Sequence, residues 1–69
     1  MKVITVSING VTRQFPDSTS VATLIEEMNL AGKRIALERN GEIVPRGLFA
    51  AQRLADGDKL EVVVAVGGG

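Results

Sequence analysis

The sequence predicts one α+β domain in which a single main helix packs on one face of a mixed sheet. Three observations carry that expectation. Near the start, Ile4, Val6 and Ile8 alternate with Thr5 and Ser7, the period-2 pattern of a half-buried strand. Toward the end, Lys59 to Val66 is a run of β-formers. Between them, Val21, Leu24, Ile25 and Met28 fall at i, i+3, i+4 and i+7, one face of a helix. At 69 residues the chain is one small domain, near the size at which a single core suffices without staples.

The elements follow in order. Lys2 to Ile8 forms the first strand, and Asn9-Gly10 is the pair best suited to the positive φ angles of a type I′ turn, so Val11 to Phe15 returns as the second. A two-residue turn sets Ile8 opposite Val11 and Val6 opposite Arg13, which puts a charge on the apolar face between Val11 and Phe15. A bulge would relieve that conflict, and the register stays open at this point. Pro16 to Ser20 is a cluster of turn and cap residues, after which a helix is expected from about Ser20 to Leu30. Gly32 reads as its left-handed stop, with Lys33 and Arg34 near the negative end of the dipole. Ile35 to Glu38 is a third strand, Asn40-Gly41 a second tight turn, and Ile43-Val44 a fragment closed by Pro45. Leu48, Phe49 and Leu54 read as satellite core contacts under an irregular segment, and Asp56-Gly57-Asp58 is the turn that launches the last strand.

Hairpin, helix, short strands and final strand make a β-grasp arrangement, in which the first and last strands lie side by side in parallel beneath the helix. Strict alternation along the last strand turns Leu60, Val62, Val64 and Val66 toward the helix and Glu61, Val63 and Ala65 outward. Val63 and Ala65, with Val3, form a candidate docking patch, although scattered exposed apolar residues are common on any surface. The folded domain is expected to span residues 1–66, with 67–69 as a flexible glycine tail.

Composition removes most chemistries. Cysteine and histidine are absent, so the chain has no disulfide, no thiol nucleophile, no imidazole base and no common metal centre. Asp56 and Asp58, two carboxylates in a turn, read as turn formers rather than metal ligands, and no metal or cofactor is expected on the chain. Lys+Arg and Asp+Glu both number 8, which leaves no net charge and no basic patch for nucleic acid. No apolar run has signal or transmembrane length, so neither membrane insertion nor export is expected and a cytoplasmic location is the default.

The strand pattern then runs into Gly67-Gly68-Gly69, residues with no side chain to bury and the most backbone entropy to lose on ordering. Stability gives no reason for such a segment. The stretch ERNGEIVPR, Glu38 to Arg46, followed by LADGDKLEVVVAVGGG, Leu54 to Gly69, resembles the ThiS family of sulfur-carrier proteins, ubiquitin-like β-grasp domains of the thiamine thiazole pathway. Gly68-Gly69 matches the terminal pair of such families, with Gly67 as added slack.

That resemblance implies a carrier rather than an enzyme. The Gly69 carboxylate would be adenylated by a separate E1-like, ThiF-like enzyme that binds ATP and Mg²⁺, attacked by a persulfide sulfur donor to give a thiocarboxylate, and used by a ThiG-like thiazole synthase. Three extended residues carry the carboxylate on the order of 10 Å past the last strand, and Gly67 and Gly68 present no Cβ to a narrow partner channel. Arg39 and Arg46 are candidate enzyme contacts, although either alone reads as solvated surface charge. A molybdopterin-type sulfur carrier, a ubiquitin-like modifier joined to lysines through Gly69, and a passive interaction module are the alternatives.

Overall fold

Asn9 and Gly10, at φ of 52° and 83°, turn β1 (Val3–Ile8) back into β2 (Val11–Pro16). The computed structural model describes residues 2–65; Met1 and residues 66–69, including Val66 and the Gly67-Gly68-Gly69 tail, lie outside the described residues. The hairpin pairs without a bulge, Ile8 with Val11, Val6 with Arg13 and Ile4 with Phe15. The conflict at Arg13 is resolved by position. β2 is an edge strand, and the Arg13 guanidinium lies 5.5 Å over the Phe15 ring with the residue exposed, so its stem covers the buried ring while its charge stays in water.

Helix α1 is Val21–Glu27, shorter than the expected Ser20 to Leu30. Ser20 caps its start, its Oγ accepting from the Thr23 N–H at 3.1 Å. Its end is set by Asn29 at φ 60°, not by Gly32. The Leu30 N–H donates to the Ile25 carbonyl and the Asn29 N–H to the Glu26 carbonyl, the paired bonds of a Schellman stop, and half-buried Leu30 packs back on the core. Lys33 and Arg34 therefore fall beyond the last turn of the helix.

β3 (Ile35–Arg39), β4 (Glu42–Ile43) and β5 (Lys59–Val64) complete a five-stranded sheet ordered β2-β1-β5-β3-β4. β5, last of these strands in sequence, is central. It runs parallel to β1, Ser7 beside Lys59 and Ile8 beside Leu60, and antiparallel to β3 from Ile35–Val64 to Arg39–Leu60. This is the predicted β-grasp sheet with the first and last strands adjacent and parallel. Val21 and Leu24 from the helix meet Val6, Leu37 and Leu60 in the fully buried centre. Phe49 and Leu54 join that core, whereas Leu48, expected beneath the same segment, is exposed.

Val64 corrects a second expectation: it is 40% exposed rather than covered by the helix. Seven helical residues span about 10 Å, half the length of a six-residue strand at about 20 Å, so α1 covers Leu60 and Val62 and leaves the end of β5 bare.

Candidate functional site

The two ends of β5 are held very differently. At its start, Asp58 is buried and every oxygen of its carboxylate is engaged. Oδ2 meets Arg39 Nε at 2.9 Å and accepts the Ala55 N–H at 2.8 Å, while Oδ1 accepts from Asn40 Nδ2 at 3.0 Å. Asn40 Oδ1 accepts the Lys59 N–H, and Arg39 reaches on to Gln52 Oε1 at 3.1 Å. Asp56 Oδ1 accepts the Thr5 N–H at 2.7 Å. Both aspartates thus fix the turn, as their sequence context implied, but Asp58 also ties it to β3. Arg39 is correspondingly not a free surface charge: it is half-buried in the only ion pair among the described residues. No cluster among those residues has the acids needed to hold a metal.

At the far end β5 outlasts β1 but not β3. On the β1 side the hairpin turn leads the chain away, and beyond Leu60 only the Asn9 side chain, among the described residues, reaches β5, with Oδ1 accepting the Val62 N–H at 2.7 Å and Nδ2 donating to the Val62 carbonyl at 3.1 Å. On the other side the ladder continues to the Ala65 N–H, which donates to the Arg34 carbonyl at 2.9 Å; just before Arg34 the chain turns at Gly32, φ 81°, with the Lys33 N–H bonded to the Leu30 carbonyl. Cations lie beside this end of the strand. Lys33 and Arg34 flank Ala65 across the ladder, and the Arg46 guanidinium contacts the Lys33 carbonyl at 3.4 Å on the rim of a groove lined by Ile25, Leu30, Ile35 and Phe49. Arg46 is exposed, in keeping with its reading as surface charge.

Val63, at 63% exposed, and Ala65 face outward as expected. Across the ladder Val63 stands opposite Ala36, and Ile43, also 63% exposed, stands opposite Glu38 on the same face. Ile43 is a member of the patch that the sequence did not reveal, since a two-residue strand shows no period. Val3 does not belong to it: the register places it at the opposite end of the sheet, roughly 25 Å from Val63 at the rise of a strand. Gly67, Gly68 and Gly69 lie beyond the described residues.

The ThiS family model matches residues 6–69. The chain is 45% identical over 62 residues to a thiazole synthase of Paramagnetospirillum magneticum, a match that covers 90% of this chain but 19% of that protein. It is 34% identical over 68 residues to the ycf40 protein of Porphyra purpurea, covering 99% of this chain and 96% of that one. Among solved structures, the crystal structure of the thiamine biosynthesis protein ThiS from Geobacter metallireducens superposes with a TM-score of 0.79 at 29% identity, covering 96% of this chain and all of the other.

Proposed function

The chain belongs to the ThiS family, and on that premise we propose that it is the sulfur carrier of thiazole formation, with the Gly69 carboxylate as its working group. The observation that carries this reading is the way β5 ends: a central strand, firmly anchored at its start, keeps only its β3-side ladder at Val64 and Ala65, and three glycines follow in the sequence after Val66. A carboxylate does not exchange oxygen for sulfur at neutral pH without a leaving group. Attack of a Gly69 carboxylate oxygen on the α-phosphorus of ATP, held with Mg²⁺ by a ThiF-like E1 enzyme, expels pyrophosphate and leaves an acyl-adenylate. A persulfide then attacks the acyl carbon and AMP departs. Reduction of the resulting acyl disulfide by a thiol frees the thiocarboxylate, which donates its sulfur to a ThiG-like thiazole synthase.

The chain's own residues supply docking and reach. The outward face of Val63, Ala65, Ala36 and Ile43 offers apolar surface beside the exit of the strand, and Gly67 and Gly68 put no side chain in the path of the carboxylate. Beyond the Gly69 carboxylate itself, no side-chain base or nucleophile is required of this chain, in keeping with a sequence that lacks His and Cys. The match to a segment of proteins named thiazole synthase supports that enzyme as the acceptor. Intact-mass measurement after incubation with a ThiF-like enzyme, ATP and Mg²⁺ tests the reading. An adduct of AMP should appear, and addition of a persulfide source and thiol should then replace one oxygen by sulfur; an unmodified mass with an enzyme that adenylates other ThiS proteins would sink the assignment.

A further inference from the structure

β5 sends its backbone groups alternately to its two neighbours. The Ala65 N–H serves β3, so residues 61, 63 and 65 pair on that side and residues 60, 62 and 64 point toward β1. There the Leu60 carbonyl accepts the Asn9 N–H at 2.9 Å, and Val62 is met by the Asn9 side chain. A carboxamide carries the donor and acceptor of one peptide unit, so Asn9 adds a final rung to the ladder while its backbone turns away at φ 52°. The next rung, the N–H and carbonyl of Val64, has no counterpart among the described residues, and Val64 is 40% exposed.

We propose that this β1-side edge of β5 at Val64 is a strand-addition site, at which an extended segment of the adenylating enzyme pairs in line with β1 and aligns the chain end for adenylation. The identity of the partner rests on the function proposed above. Open edges are templates for pairing, and proteins blunt those they do not use with Lys, Pro or a bulge. None of these guards Val64: the cations at this end, Lys33 and Arg34, belong to the β3 side, and a Cβ on Gly10, at the tip of the adjoining turn, would meet nothing within 4 Å. Two hydrogen bonds are too few to hold a second copy of this chain. An enzyme that also encloses the residues after Val64 adds contacts of its own, and the exposed Val63 and Ala65 side chains lie on the face it would cover.

Amide hydrogen exchange, read by NMR on the chain alone and bound to the enzyme that forms its acyl-adenylate, tests the site. The Val64 amide should exchange freely in the isolated chain and at least about tenfold more slowly in the complex, whereas the Val62 amide should already be protected by Asn9. Replacing the Val64 N–H by an ester oxygen through semisynthesis removes the donor and keeps the side chain. It should raise KM for the carrier by about five- to tenfold with little change in kcat. Unprotected Val64 in a complex that still forms acyl-adenylate, or an unchanged KM for the ester, overturns the strand-addition site and leaves the carrier reading standing. Failure to form acyl-adenylate at all strikes the carrier reading, and the partner assignment with it.

Discussion

The first and last residues of β5 lie in one strand yet in opposite circumstances. Around Asp58 and Lys59 the strand is fastened by an ion pair, a carboxamide and the backbone N–H groups of Ser7, Asn40 and Ala55. Around Val64 it keeps one ladder, and its other edge is finished by a single side chain two residues earlier. The difference shows how one strand of a small domain can keep an open edge without loosening the core. Fastening is concentrated where the strand starts, and that start fixes the direction in which Lys59–Val64 runs.

Substitutions at the two ends should therefore separate stability from partner engagement. The largest effect on folding is expected from Asp58→Ala, which leaves Arg39 without its counter-ion and the Ala55 N–H and Asn40 amide without an acceptor. Thermal or urea unfolding should show a loss of about 3 kcal/mol. A loss below about 1 kcal/mol would mean that the turn is held by its backbone alone. Next comes Asn9→Ala, which strips both bonds from Val62 and should cost about 1–3 kcal/mol, with faster exchange of the Val62 amide as the local signature. Val63→Asp lies at the free end, on an exposed position, and should change stability by no more than about 0.5 kcal/mol. It should nevertheless weaken the apparent affinity for the adenylating enzyme, with full modification recovered at high enzyme concentration. Smallest of all for the fold is an alanine appended after Gly69: unfolding should be unchanged while acyl-adenylate formation is lost, and modification of the extended chain at the normal rate would contradict the role given to the Gly69 carboxylate.

Much of this architecture was legible because it is written locally. The alternation of Ile4, Val6 and Ile8, the helical stripe from Val21, and the two Asn-Gly pairs each fix their own element, and the order of elements then leaves few sheets to choose from. The helix stop was misplaced for a physical reason. Asn29 and Gly32 both tolerate a left-handed backbone, and the choice fell to the one whose following residue, Leu30, has a core to pack against. Alternation alone turned Val64 inward, but burial also needs something overhead, and the helix is too short to provide it. The bonds of Asn9 to Val62 and of Arg39 to Asp58 join residues far apart in sequence, so these side chains looked like a turn former and a surface charge. Of the candidate site, Val63 and Ala65 were found from period, while Ile43 and the edge at Val64 needed the register of the sheet.

The placement of β5 at the middle of the sheet also orders events during biosynthesis. Until Lys59–Val64 has left the ribosome, the β1–β2 hairpin and the β3–β4 pair have no strand between them, and the core lacks Leu60 and Val62. Such a distant pairing must close a loop of some fifty residues before it is rewarded, so the sheet assembles late and nearly all at once. A nascent or prematurely ended chain that stops short of β5 therefore lacks the centre of its sheet and stays exposed to proteases. The same strand that completes the core leads directly toward the glycines, which couples completion of the fold to presentation of the residues that follow it.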